Sequence, residues 1–159
     1  FIYFCSVKVL PSLFNRLFIN SNHPFSMSAF AQLKVNHVAI YAKDLKETNQ
    51  FYEEIIGLPK IEDPFKDHLH TWFGMGFGLS IHVIEREVPW KEQNIDRTNH
   101  LCFCVKDMDA FINKLQDKKV PFGNSEGLNG KVNLRPDGIR QIFFQDPNGY
   151  WLEINDDFE

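Results

Sequence analysis

The order of apolar and polar positions in the first third of the chain occurs a second time further along. Residues 36–45 and 99–108 both open with Asn-His, continue with five largely apolar residues and then reach Lys-Asp. Short apolar runs that end at a turn residue indicate β-strands. The aspartate is suited to cap a helix, and an amphipathic helical pattern follows each time, over residues 45–56 and 108–118.

The later parts of the two copies also match. Residues 72–82 align with residues 143–153 without a gap, and each stretch predicts a strand, a tight turn and a second strand. In the second copy the turn is Asp-Pro-Asn-Gly, in which proline fixes φ and glycine supplies a positive φ. The sequence therefore predicts an α+β fold of two tandem βαβββ modules, residues 35–86 and 98–156, joined by a polar linker.

Four residues of the metal-ligand type fall at matching points of the two modules. His37 and His100 open the first strand of each module, and His82 and Glu153 lie on the last strand of each. Because alternate side chains of a strand share one face, two related sheets that pack together would bring these four side chains toward one centre. Three imidazoles and a carboxylate, or a subset of two histidines and the glutamate, suit iron, manganese, nickel, cobalt or zinc.

A structural role is the ordinary alternative for each of these residues. A lone histidine on a strand more often makes hydrogen bonds than binds a metal, and Glu153 could face solvent by simple alternation. The match between the modules is what favours metal ligands. His68 and His70 have no such counterpart, so we interpret them as structural. We interpret Cys102 and Cys104 as small core residues, with a soft metal ligand as the less favoured alternative.

The same residues carry a resemblance to a known superfamily. The sequence resembles the vicinal oxygen chelate superfamily, which includes glyoxalase I, extradiol dioxygenases, fosfomycin-modifying enzymes and bleomycin-resistance proteins. The resemblance covers about residues 34–157 and is carried by Asn36-His37-Val38-Ala39-Ile40, Phe51-Tyr52, Gly57-Leu58, Asn99-His100-Leu101-Cys102-Phe103 and the run from Phe143 to Glu153. It implies that the two modules form a cup-shaped, mostly antiparallel sheet around one divalent metal ion. It also implies a homodimer, in which the modules pair within one chain or between chains.

The resemblance implies a metal-dependent lyase or isomerase of the glyoxalase type, similar to lactoylglutathione lyase, that acts on a small oxygen-chelating substrate. His37, His100 and Glu153 match the family's ligand positions, whereas His82 stands where glyoxalase-type members usually carry Glu or Gln. All four would bind the ion. Glu153 or His82 would also be the catalytic base that removes a proton next to a carbonyl group.

Residues outside the ligand set suggest how a substrate could be held. Arg135 and Arg140 are candidates to bind an anionic group, with ordinary solvated charges as the alternative. Trp72 and Trp151 are candidates to stack on a ligand. Three other functions stay open: an extradiol-type dioxygenase, a fosfomycin-type thiol transferase, and a metal-free binding protein of the bleomycin-resistance kind.

Composition and charge narrow the partners and the compartment. The net charge is −4 without a basic block, which favours a small-molecule substrate over nucleic acid or an anionic membrane surface. The three cysteines cannot all pair, and nothing in their spacing requires an oxidising compartment.

The first 31 residues do not match the rest of the chain, and we interpret them as an extension or a targeting segment ahead of a glyoxalase-like domain over residues 32–159. The segment is apolar, but Pro11 and Arg16 interrupt it too early for a membrane span. Ala29-Phe30-Ala31 has the form of a signal-peptidase site, which would imply export, whereas initiation at Met27 would imply a cytoplasmic protein.

Overall fold

The computed structural model describes residues 34–86, 91 and 94–158 of the 159-residue chain. The predicted N-terminal segment, residues 1–31, lies outside the described residues, as does part of the predicted linker. No helix in the described part of the chain is long and apolar enough to cross a membrane.

Each half of the chain folds in the predicted order of one strand, one helix and three strands. The first half contains β1 His37–Ala42, α1 Leu45–Phe51 with a π-helical turn Tyr52–Ile56, β2 Lys60–Ile61, β3 His70–Gly76 and β4 Leu79–Glu85. The second half contains β5 His100–Cys104, α2 Met108–Asp117, β6 Asn133–Leu134, β7 Arg140–Gln145 and β8 Trp151–Asn155. The predicted α+β fold of paired βαβββ modules is confirmed, and we refer to the halves as the first and the second module.

Each module forms a four-stranded sheet with the same topology, β1-β4-β3-β2 in the first module and β5-β8-β7-β6 in the second. The first strand of each module pairs in parallel with the last strand, and the other neighbours are antiparallel. In the parallel pairs, Ala39 lies opposite His82 and Cys102 lies opposite Glu153. Equivalent residues of the two modules therefore occupy equivalent points of their sheets.

Both helices begin where the sequence predicts. The side chains of Asp44 and Asp107 each accept a hydrogen bond, at 2.9 Å, from the backbone N–H three residues later, which caps the helix. The sequence predicts one α-helix over residues 45–56, but the last five residues, Tyr52–Ile56, form a π-helical turn. In this turn the N–H of Gly57 donates to the carbonyl of Tyr52, five residues earlier, at 3.0 Å, and Gly57 ends the helix with a φ of 86°.

The helices cover one face of each sheet, and apolar side chains from both modules form one core. Phe144 of β7 packs against both helices, since its ring centroid is 6.3 Å from that of Phe51 in α1 and 6.2 Å from that of Phe111 in α2. Each large apolar side chain buried in this way contributes about 1.5–3 kcal/mol. We call the opposite face of each sheet, which carries His82 in the first module and Glu153 in the second, the open face.

A buried polar network joins the two modules. The hydroxyl of Tyr52 donates to Oδ2 of Asp146 at 3.2 Å. The amide of Asn148 donates to the hydroxyl of Thr48 at 3.0 Å, and its oxygen accepts from the backbone N–H of Lys43 at 2.8 Å. Asp146 and Asn148 belong to the turn between β7 and β8. That turn therefore also docks the second module on the first.

Candidate functional site

The open face of each sheet carries the predicted metal ligands. On β1 the side chains of His37 and Tyr41 are exposed, whereas Ile40 and Ala42 are buried in the core. On β5 the same alternation leaves His100 on the exposed side of its strand. Strand geometry thus separates a core face from an open face at the first strand of both modules.

His82 lies at the centre of a group of aromatic rings on the open face of the first sheet. Its imidazole stacks on Trp72, with 4.0 Å between the ring centroids and 13° between the planes. Phe65 lies nearly parallel to His82 at 5.4 Å, while His70 lies at 5.1 Å and His37 at 6.1 Å. We call these five residues the ring cluster. Contacts with this many rings restrict the plane in which the imidazole of His82 can lie.

One nitrogen of His82 lacks a partner. The residue is 6% exposed, and its Nε2 has no hydrogen-bond partner among the described residues. Burial, together with the nearby imidazoles of His70 and His37, lowers the pKa of His82 below its usual value. The lowered pKa favours the neutral imidazole, which is the form that binds a metal ion or accepts a proton. Since a buried nitrogen without a partner is costly, Nε2 is suited to a metal ion.

Hydrogen bonds hold Glu153, which is 5% exposed, on the open face of the second sheet. Gln141 and Asn155 donate to its Oε1 at 2.6 and 3.1 Å. Its Oε2 lies 2.9 Å from Nε2 of His100, and Nδ1 of His100 lies 2.8 Å from the carbonyl oxygen of Arg97. A carbonyl oxygen only accepts, so Nδ1 must donate, and Nε2 and Oε2 can approach only with a proton between them. A metal ion can take the place of such a proton.

The two pairs of predicted ligands stay separate within one chain. Among the residues that the structure describes, no group of three or more His, Cys, Asp and Glu side chains is arranged to hold a metal ion. The charged groups that act on the pKa of His82 belong to the first module: His70, His37, Asp63 and Asp67. The structure brings His37 close to His82 and His100 close to Glu153, but it does not bring one pair to the other.

The two predicted substrate-binding arginines differ in the ion pairs that they form. Arg140 forms two ion pairs, with Asp109 at 2.8 Å and with Asp156 at 2.7 Å. Arg135 forms an ion pair with Asp137 in the turn after β6, and it also interacts electrostatically with Glu153. Arg135 is therefore the better placed of the two to meet a substrate near the predicted ligands.

The two predicted tryptophans lie at different parts of the open faces. Trp72 belongs to the ring cluster, whereas Trp151 lies opposite His100 in the parallel pair of the second sheet. The guanidinium group of Arg97 lies 4.4 Å from the ring of Trp151. Trp151 and His100 also line a cavity of about 280 Å³ together with residues of both modules, among them Val38, Ala39, Tyr52, Leu101 and Tyr150.

Two residues of the open faces were missed by the sequence reasoning. His70, interpreted above as structural, belongs to the ring cluster, and its Nδ1 lies 2.8 Å from the carboxylate of Asp67. Gln141 occupies the equivalent point of the second sheet. A signal was available, because the overlay that matches His82 with Glu153 also matches these two residues.

The interpretation of Cys102 and Cys104 as core residues is wrong. Both cysteines are free and exposed. The reason is the alternation along β5, which turns Leu101 and Phe103 toward the core and leaves the cysteines on the open face with His100.

Comparison with known proteins identifies the family. The model of the Glyoxalase/Bleomycin resistance protein/Dioxygenase superfamily matches residues 34–154. The chain belongs to this superfamily. A relative, Glyoxylase I 4 of Arabidopsis thaliana, is 24% identical over 124 residues, which cover 76% of this chain and 68% of the relative. Lactoylglutathione lyase of Schizosaccharomyces pombe is 25% identical over 150 residues, 81% of this chain, and the chain spans only 49% of that relative.

Solved structures of other proteins share the fold. Oxidase ChaP-H2 matches with a TM-score of 0.63 and 23% identity, over 79% of this chain and 94% of that protein. A lactoylglutathione lyase from Agrobacterium tumefaciens matches with a TM-score of 0.57 and 18% identity, over 78% of this chain and 93% of that protein. The resemblance seen in the sequence is thus confirmed at the level of superfamily and fold.

Proposed function

We propose that this superfamily member is a divalent-metal-dependent lyase or isomerase of the glyoxalase type, acting on a small substrate with two neighbouring oxygens. The observation that carries the proposal is the equivalent position of His37, His82, His100 and Glu153 on the two sheets. Two features of this set suit a cation: the buried, unpartnered Nε2 of His82, and the contact of His100 with Glu153 that needs a proton. Relatives named lactoylglutathione lyase support the same reaction class.

The complete site, in this proposal, forms between two copies of the chain. Each module presents two of the four ligands, and no group of three is arranged for a metal ion within the described residues of one chain. A second chain that faces the first module with its own second module would supply the other pair. A symmetric contact of this kind creates two identical sites in a homodimer.

The proposed chemistry is proton transfer at a carbon next to a carbonyl group. A bound divalent ion would polarise the two substrate oxygens and make the adjacent C–H more acidic. The carboxylate of Glu153, or the imidazole of His82 once released from the ion, would accept that proton and return it to the neighbouring carbon, so that the net reaction is an isomerisation. Arg135 would pair with an anionic group of the substrate.

Mixing two inactive variants tests the proposal. His37→Ala removes a ligand of the first module, and Glu153→Ala removes one of the second. After unfolding and joint refolding of equal amounts, half of the dimers contain both chains. Each mixed dimer then has one site with all four ligands and one site that lacks two. We expect about one quarter of the wild-type metal content, and of the turnover of a methylglyoxal–thiol adduct, to return.

Two results would count against the proposal. Wild-type protein that binds none of Ni, Mn, Fe, Co and Zn would contradict the metal site. Mixed variants that regain neither metal nor turnover, although they exchange chains, would contradict a site shared between two copies.

An extradiol-type dioxygenase is the second candidate, and the fourth ligand position favours it. At that position glyoxalase-type members usually carry Glu or Gln, whereas this chain has the imidazole of His82. Without His82 as a ligand, His37, His100 and Glu153 would form the set of two histidines and one carboxylate that suits Fe(II) and oxygen. His82 would then act as the base beside the ion. Oxygen uptake by the Fe(II)-loaded protein with a catechol, and no turnover of the methylglyoxal–thiol adduct, would favour this alternative.

A further inference from the structure

His70 and Asp67 form a pair that no sequence motif indicated. Nδ1 of His70 lies 2.8 and 2.9 Å from the two carboxylate oxygens of Asp67. Since the carboxylate accepts, Nδ1 donates, and this bond fixes the orientation of the imidazole. The pair lies at the start of β3, on the open face that also carries Trp72 and His82.

The ring of His70 packs between a loop and the predicted ligand. Phe65 stacks on it at 4.3 Å between centroids, and His82 lies 5.1 Å away. With Trp72 stacked on His82 as well, the plane of the ligand ring is set by its neighbours. No hydrogen bond between the two histidines contributes, because their contact is between rings.

The second module has an equivalent arrangement, in which side-chain amides take the place of the carboxylate and the imidazole. Asn133 donates to the amide oxygen of Gln141 at 2.8 Å, and Gln141 donates to Glu153 at 2.6 Å. In both modules an outer polar residue thus holds a side chain of the neighbouring strand, and that side chain contacts the predicted ligand. Gln141 and His70 occupy equivalent points of the two sheets. His70 lies opposite Ile84 on the last strand of its module, and Gln141 lies opposite Asn155, the residue equivalent to Ile84.

We propose that His70, held by Asp67, is a positioning residue for His82, as Gln141 is for Glu153. The inference rests on the proposed function, since it takes His82 to be a metal ligand. Residues that orient a ligand through hydrogen bonds, as Gln141 does, typically change metal affinity 10–100-fold when they are replaced, or about 1.4–2.7 kcal/mol, and we expect a change of this order for His70. A purely structural histidine would affect stability and leave the bound ion unchanged.

Binding of Co(II) alone to the full chain tests the inference, without any need for the substrate. His70→Ala is expected to lower the Co(II) affinity about 10–100-fold and to shift the visible absorption bands of the bound ion. His70→Phe keeps a ring against Phe65 and His82 but cannot donate to Asp67, so it should restore only part of the affinity and of the spectrum. His68→Ala is the matched control, because it removes an exposed imidazole two residues away. Thermal unfolding of each variant shows that the proteins compared are folded.

The outcomes separate the inference from the function on which it rests. Wild-type protein that binds no Co(II) would contradict the metal site and the inference with it. Wild-type protein that binds Co(II), with a His70→Ala variant of the same affinity and spectrum, would contradict the inference alone. Equal losses in the His70→Ala and His68→Ala variants, or no recovery in His70→Phe, would also contradict it.

Discussion

The hydroxyl group of Tyr52 provides a direct test of how the two modules are held together. Tyr52→Phe leaves the ring in the core and deletes the bond to Asp146. Tyr52 is 1% exposed and Asp146 is 5% exposed, so water cannot replace the lost partner. Burial and the neighbouring carboxylate raise the pKa of Tyr52, which keeps the hydroxyl protonated as the donor at neutral pH.

The magnitude follows from what remains around Asp146. A hydrogen bond to a charged group contributes about 1.5–3 kcal/mol. In the variant, Oδ2 of Asp146 keeps only the amide of Asn148, at 3.2 Å, so a buried carboxylate oxygen is left poorly satisfied. We therefore expect a loss of about 2–3 kcal/mol in the free energy of unfolding. With an m-value of about 2 kcal/mol per molar urea, the unfolding midpoint would fall by about 1–1.5 M.

Tyr41→Phe is the control for this measurement. Tyr41 is 42% exposed and stacks under the guanidinium group of Arg86, so removal of its hydroxyl should change stability by less than about 0.5 kcal/mol. A Tyr52→Phe variant as stable as wild type would refute the reasoning. So would a Tyr52→Phe/Asp146→Asn double variant whose loss equals the sum of the two single losses, because residues that interact directly should show coupling.

Three further predictions concern the turn and the site. Gly149→Ala places an L-residue at a φ of 87° and should lower the free energy of unfolding in urea by about 1–2 kcal/mol, unlike an alanine at the exposed Glu126. Glu153→Ala should reduce the metal content after dialysis to background; metal retained at the wild-type level would exclude Glu153 as a ligand. Removal of metal by a chelator should lower Tm but leave the far-UV circular dichroism unchanged, because the apolar core contains no predicted ligand. Unfolding on chelation would contradict that view.

The module architecture could be predicted because local signals agreed with one another. The two aspartate caps, the strand alternation and the Asp-Pro-Asn-Gly turn each depend on neighbouring residues, and the internal repeat supplied a second copy of most of them. The exposure of Cys102 and Cys104 could also have been predicted. They alternate in phase with His100, so a strand that presents this histidine on the open face must present the cysteines there too.

The assembly of the site could not be predicted in the same way. Periodicity states which face of a strand a residue occupies, but it does not state how two sheets are oriented, so it could not show that the two pairs of predicted ligands stay apart in one chain. The ring cluster depends on Phe65, which comes from an irregular loop without a pattern. The docking of Asn148 on Thr48 is likewise a contact between distant residues that no local rule specifies.

The unlike open faces of the two modules bear on which end of a substrate meets which predicted ligand. Two identical modules would enclose a cavity with two-fold symmetry, in which a small substrate could bind equally well in either of two opposite orientations. Here stacked rings form one wall, around His82, and hydrogen-bonded amides form the other, around Glu153. In the proposed site between two copies, a substrate held between such walls would have one preferred orientation. The same one of its two neighbouring carbons would therefore always lose the proton.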